Sequence, residues 1–165
     1  MNIADVIKKE YIVLRLEARQ RDEALKELLE IGSIQVNITD RDAVFQELLA
    51  REASFTTKVM DLIAIPHAKS DGVKEAMVLI GKSKEGISWG QGTDLDSVNP
   101  EERVELIFMI LVPGQSESNE HLKILAMLAR CLTNEQFREN LLCEEDAAKV
   151  HKLVVDEITA RMGKQ

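Results

Sequence analysis

Apolar residues recur along this chain in two rhythms, and those rhythms predict its elements. Residues 3–7 form a short amphipathic segment, after which Ile12, Leu14 and Leu16 recur at every second position across 11–18, the period of a half-covered strand. Leu25, Leu28, Leu29 and Ile31 follow helical spacing across 22–31, and Gly32 stands where such a helix would stop. Thr39 and Asp40 can cap the next helix, whose apolar face is Val44, Phe45, Leu48 and Leu49 and whose end is predicted near Arg51 and Glu52. Residues 62–65 are short and apolar, and Pro66 lacks the N–H that a ladder would need. The runs 76–80 and 106–112 are continuously apolar, as suits strands covered on both faces, and Pro113 and Gly114 close the second. Between them, 84–102 reads as the longest irregular piece, with a short strand around Ile87 to Trp89. The rest is helical: a stripe of Leu122, Leu125, Ala129 and Leu132, a shorter helix over 134–142, and a last one over 145–162 with Val150, Leu153, Val154 and Ile158. Buried strands interleaved with amphipathic helices predict a three-layer α/β domain.

Composition narrows the setting. At 165 residues and 45% hydrophobic, the chain suits one domain with one sizeable core, filled by aliphatic side chains because aromatics are only 4%. The longest apolar run, 106–112, is far too short for a membrane helix, which needs about 20 residues. The first residues lack the basic-then-apolar order of a secretory signal. Two cysteines imply no disulfide framework, so a cytoplasmic, reducing location is expected, with both thiols packed in helices as small apolar groups. A net charge of -8 argues against a general nucleic-acid binder, which needs a basic face. It suits a partner with a basic surface, and it suits ordinary solubility equally well.

Candidate chemistry centres on the histidines. His67 follows an apolar segment and Pro66, at the kind of strand end where α/β sheets bind ligands. A neutral imidazole is a competent nucleophile for phosphorus near pH 7. The same position also suits a loop histidine that simply finishes a strand. His121 opens a helix, where free N–H groups favour anions, and it leans toward the packed side, so it suits either a phosphoryl oxygen or a backbone partner. His151 sits at the boundary of the last helix's apolar face. Arg51 near a helix end can hold a phosphoryl group bidentately or complement the helix dipole. Thr56 and Thr57 can donate hydroxyl bonds to the same oxygens. No P-loop, dinucleotide fingerprint, nucleophile elbow or metal-ligand spacing is present, and nothing sets a serine or cysteine with a carboxylate around His67.

Taken in order, Arg51-Glu52, Thr56-Thr57, Ile63-Ala64-Ile65-Pro66-His67-Ala68-Lys69, Val104 to Pro113, and Asn119-Glu120-His121-Leu122 followed by Leu125 to Leu132 form a recognisable pattern. It resembles the enzyme IIA domain (type 2) of the bacterial sugar phosphotransferase system, the fructose/mannitol kind, together with its nitrogen-regulatory relatives. The resemblance covers nearly the whole chain and implies one such domain over 1–165. It implies an α/β/α sandwich on a mostly parallel mixed sheet. It also implies a phosphotransferase that needs no cofactor and no metal. In that role His67 accepts a phosphoryl group from the HPr phosphocarrier and passes it to an enzyme IIB domain for sugar uptake. Arg51 and His121 bind the phosphoryl oxygens, and the membrane is met only through the transporter. A regulatory module, whose phosphorylation state selects protein partners, is the alternative. One departure stands out. The family's stretch reading approximately Ser-Thr-Gly-Ile-Gly-x-Gly is here Thr56-Thr57-Lys58-Val59-Met60-Asp61-Leu62, without glycine. A differently shaped loop is therefore expected beside His67, with Asp61 adding negative charge there and Lys58 offsetting it. The segment from Gly90 to Glu102 is also longer than the family's usual turn.

Overall fold

The computed structural model describes residues 2–90, 100–115 and 119–162. Its centre is β6 (Arg103–Pro113), buried from Leu106 through Val112. Alternate side chains of this strand enter opposite cores. Ile107, Met109 and Leu111 pack with α1 (Arg21–Leu29) and α2 (Arg41–Ser54). Leu106, Phe108, Ile110 and Val112 pack with α3 (Glu120–Cys131), α4 (Glu135–Cys143) and α5 (Ala147–Met162). The result is an α/β/α sandwich, and it explains why the run 106–112 has no polar face.

The sheet order is β1-β5-β6-β3-β2, with β4 also on β6. β1 (Ile7–Val13) runs parallel to β5 (Met77–Ser88), and β5 runs antiparallel to β6. On the other edge of β6 lie β3 (Leu62–Ala64) and then β4 (His67–Ser70), both parallel to it. β2 (Lys58–Met60) folds back antiparallel on β3. Three of the five pairings are parallel.

Pro66 separates β3 from β4 without ending the pairing along β6. Its carbonyl accepts from Ile110 N at 2.9 Å, and the ladder resumes with His67 opposite Ile110. β4 was not foreseen from the sequence, because a proline after a short apolar run reads as a stop. His67 is thus the first residue of a strand anchored on the central strand of the sheet.

Several boundaries move from the sequence reading. β1 starts and ends earlier than 11–18: Leu16 and Ala18 are buried, but past Val13 the chain follows β5 by a single bond, Leu16 N to Lys82 O at 2.9 Å, and a bridge from Gln20 to Ser88. The alternation there records burial, not a regular ladder. β5 continues far past 76–80, through a register shift between Lys82 and Ile87 and a positive φ at Gly86, so the first part of the supposed loop is strand. Residues 91–99, which include Gly92 and most of the long segment noted above, lie outside the described residues. In α3 the buried stripe is Ile124, Leu128 and Cys131, continued by Leu132, and not Leu122, Leu125 and Ala129; Leu122 is 51% exposed. Both sets obey helical spacing, so periodicity alone does not choose between them. α5 begins at Ala147, because the Asp146 side chain accepts from Ala148 N at 2.8 Å and sets the start. Cys131 is buried, as foreseen, but Cys143 ends α4 exposed.

The glycine-free stretch forms the β2–β3 hairpin. Leu62, where the family pattern has its last glycine, takes φ 66, the left-handed region that an L side chain enters at a cost of roughly 1–2 kcal/mol. Leu62→Gly removes that strain but adds unfolded-state entropy, so stability should stay within about 1 kcal/mol of wild type despite the lost side chain. Leu62→Val, β-branched at a positive φ, should lose at least ~1 kcal/mol. Urea-unfolding midpoints of the two variants test this ordering.

Candidate functional site

Three elements converge on His67. β4 sets its backbone, α2 packs over that strand, and the first turn of α3 brings His121 alongside. The rings of His67 and His121 lie stacked, with centroids 6.1 Å apart and planes inclined by 25°. Arg51, in the last turn of α2, donates from Nε to His67 Nε2 at 3.1 Å and from Nη1 to the Phe55 carbonyl at 2.5 Å. The second bond closes the helix end and holds the guanidinium in place.

The two ring nitrogens of His67 have partners that fix their roles. Nδ1 lies 3.0 Å from the Ile65 carbonyl, which can only accept, so Nδ1 carries the hydrogen. Nε2 faces a guanidinium N–H, which can only donate, so Nε2 presents its lone pair. Both bonds select the same neutral tautomer. Burial lowers the His67 pKa below 6.5, the Arg51 and His121 charges lower it further, and the Ile65 bond and the Glu52 charge oppose them. Asp61 is an exposed residue at the hairpin turn, and the charges that shift His67 are those of Arg51, His121 and Glu52. The expected negative charge at the site therefore comes from Glu52, through the fold.

His121 is also held below its ordinary pKa, by burial first and by the Lys69 charge second. Its Nδ1 is buried and has no hydrogen-bond partner among the described residues. An orphaned ring nitrogen costs about 1–3 kcal/mol, and a ligand oxygen would relieve it. Lys69 stands two residues beyond His67 on β4, hence on the same face of the strand.

The two threonines part company. Thr57 is 1% exposed, and its hydroxyl and N–H both go to the Glu52 carboxylate. Its hydroxyl proton is committed there, so in this arrangement Thr57 does not donate toward His67 as the sequence suggested. Thr56 is exposed, and its Oγ1 accepts from Lys58 N at 3.2 Å. His151 lies elsewhere, with Nε2 donating to the Ile7 carbonyl at 3.0 Å, a bond between α5 and the start of β1. The buried Cys131 thiol is pushed up to about 11, chiefly by burial. Among the described residues no group of His, Cys, Asp and Glu is arranged to hold a metal, and no helix is long and apolar enough to cross a membrane.

Residues 5–156 match the family model for the phosphoenolpyruvate-dependent sugar phosphotransferase system, EIIA 2. The chain belongs to this enzyme IIA family. It is 35% identical over 155 residues to a fructose-specific EIIA component of Haloferax volcanii, covering 94% of this chain and 96% of that one. It is 30% identical over 154 residues to a nitrogen regulatory protein of Bradyrhizobium diazoefficiens, covering 93% and 95%. Among solved structures, the nitrogen regulatory protein IIA-Ntr of Neisseria meningitidis superposes with a TM-score of 0.77 at 27% identity, covering 92% of this chain and 98% of that one. The mannitol IIA of Escherichia coli shares the fold, with a TM-score of 0.71 at 23% identity over 89% and 97% of the two chains.

Within this enzyme IIA domain, two residues near the histidine had no role in the sequence reading. Glu52 and Lys69 stood in the quoted pattern, but their burial and orientation emerge only when the hairpin and β4 are formed. Because the His67 and His121 pKa values are depressed, the unfolded chain binds more protons than the folded one between the folded values and 6.5. Their contribution to stability is therefore full above 6.5 and is lost as pH falls through the folded values. NMR titration of the ring protons should give midpoints below 6.5 for both residues. Chemical denaturation of His67→Gln should show a shallower loss of stability in that window than wild type.

Proposed function

We propose that this enzyme IIA domain, taken as one unit over 1–165, accepts a phosphoryl group on Nε2 of His67 from an HPr-like phosphohistidine carrier and passes it to an enzyme IIB domain. The observation that carries this reading is the tautomer. Nε2 carries no proton, and its lone pair is freed for phosphorus when the Arg51 N–H turns from it to a phosphoryl oxygen, while Nδ1–H stays on Ile65. The donor's N–P bond breaks as the Nε2–P bond forms, the donor nitrogen keeps the electron pair, and no proton needs to be removed from His67. The burial that holds the ring neutral keeps it competent below the pH at which an ordinary histidine charges.

Charge on the transferring group then meets Arg51, whose Nε already points at Nε2, and His121, whose ring lies against His67. Positioning and fixed positive charge are what phosphoryl transfer asks of a protein. Lys69 adds a cation on the same side. Phe55 and Leu122, exposed by 73% and 51%, stand near Arg51 and His121 in sequence, and exposed apolar side chains of this kind suit a protein partner. Such a carrier works in the cytoplasm and meets the membrane only through its partners.

A regulatory role has specific support of its own in the nitrogen regulatory protein of Bradyrhizobium diazoefficiens and in IIA-Ntr of Neisseria meningitidis. In that role the same His67 chemistry would change which protein is bound. The chemistry is tested with enzyme I, HPr and labelled phosphoenolpyruvate. Wild type should acquire acid-labile label and His67→Ala none. Arg51→Ala should slow labelling about 100-fold or more, as removal of a preorganised donor does. His121→Ala should slow it about 10–100-fold, the value of a charge-assisted hydrogen bond. Equal label on wild type and His67→Ala would refute the assignment. Transfer onward from labelled protein to a IIB domain, against phosphorylation-dependent capture of a regulator, separates the transport and regulatory roles.

A further inference from the structure

We propose that Glu52 is a positioning residue that sets the tautomer of His67 and thereby selects Nε2 as the phosphoryl acceptor. This rests on the reading of His67 given above and extends it to a residue that touches neither phosphorus nor the ring.

The connection is a short series of bonds. The Glu52 carboxylate takes both donors of Thr57, the N–H through Oε2 at 3.2 Å and the hydroxyl through Oε1. The Thr57 carbonyl accepts from Ile65 N at 2.9 Å. The Ile65 carbonyl accepts from His67 Nδ1 at 3.0 Å. The links pass through α-carbons, so the effect is mechanical: each bond orients the next peptide. The Ile65–Pro66 peptide has no N–H of its own and cannot be fixed through a ladder donor. Its direction is set by the Ile65 N–H on one side and by the Pro66 carbonyl, held by Ile110 N at 2.9 Å, on the other.

Glu52 is 5% exposed and makes no ion pair with a Lys or Arg among the described residues. A buried carboxylate without a cation is a poor choice for stability alone, because its desolvation is only partly offset by neutral donors. What an apolar residue there cannot do is hold two donors of one residue at once. Arg51 and Glu52 are consecutive on α2, so one helix turn addresses both ring nitrogens, Nε2 directly and Nδ1 through the hairpin. If Thr57 is released, the Ile65 carbonyl is free to turn and Nδ1–H loses its acceptor. Arg51 alone then favours the Nδ1–H form, and the ring also populates the Nε2–H form, whose Nε2 has no lone pair for phosphorus.

The test compares wild type with Glu52→Gln, Thr57→Val and Thr57→Ser. Glu52→Gln turns one acceptor into a donor and leaves a Thr57 donor unmatched, Thr57→Val deletes the hydroxyl link, and Thr57→Ser keeps both. Long-range proton–nitrogen NMR spectra at about pH 8, well above the ordinary histidine pKa, report the His67 tautomer, and single-turnover transfer from labelled phospho-HPr reports the rate. Wild type and Thr57→Ser should show the Nδ1–H form alone and react alike. Glu52→Gln should show both tautomers and react about 10-fold or more slowly, the usual effect of losing an outer orienting partner. A Glu52→Gln protein that keeps the pure Nδ1–H form, or that mixes tautomers yet reacts at the wild-type rate, overturns the proposal. Should Glu52→Gln not fold, Thr57→Val decides on the same two readouts. If wild type accepts no phosphoryl group at all, the proposed function fails, while the tautomer comparison still decides whether Glu52 sets the ring.

Discussion

Everything at this site follows from one imidazole held between a carbonyl oxygen and a guanidinium. The Ile65 carbonyl can only accept and Arg51 can only donate, so His67 has one tautomer, with its Nε2 lone pair turned to Arg51. The fold supplies these partners from opposite sides. The carbonyl comes from the proline break between β3 and β4, the guanidinium from the end of α2. The break matters because a regular ladder would have spent the Ile65 carbonyl on another strand. Pro66 withholds a donor and lets the chain leave the ladder for one residue, and β6 recovers it at His67. The central strand β6 thus fixes the position of His67.

The charges around that atom work against one another, and burial decides the outcome. His67 and His121 lie ring against ring, with Arg51 and Lys69 nearby, a cluster that would repel itself if both rings were protonated. Desolvation disfavours the charged form of both rings, so the fixed charges around them are those of Arg51, Lys69 and Glu52. A phosphoryl group would bring anionic oxygens to Arg51 and Lys69, beside a His121 ring whose Nδ1 has no hydrogen-bond partner among the described residues. Fixed cations beside an unpartnered ring nitrogen favour an anionic group at this place.

The sequence carried much of this and missed the rest for identifiable reasons. α1, α2, α4 and the β6 core were legible because their apolar spacing matches one burial pattern only. Asp40 and Asn134 cap α2 and α4 where short polar side chains preceded apolar periodicity. The buried face of α3 was misread because two sets of residues share the same period, and only the neighbour on β6 chooses between them. β5 was cut short because Lys82 to Glu85 look like a loop, whereas the strand carries them through a register shift. At the site, His67, Arg51 and His121 were visible as residue types able to do the chemistry. Their convergence, and the inward turn of Thr57 onto Glu52, were not, because both depend on pairings between segments distant in sequence.

The glycine-free hairpin shows which part of the family pattern the site requires. The stretch 56–62 holds no glycine, yet β2 pairs with β3, Lys58 opposite Ala64, and the Thr57 carbonyl reaches Ile65 N. Of these residues only Leu62 takes a left-handed backbone, and its strain is local to the turn. β6 pairs with Ile63 and Ala64 on one side of the proline and with His67 on the other, so His67 is anchored independently of the turn. What varies here is therefore the outer surface of the hairpin, where Val59 is exposed and Asp61 adds charge. That surface is where a partner would meet the domain, whereas the inner surface carries the bonds that orient the ring. A change of partner at constant chemistry is the kind of divergence this division permits.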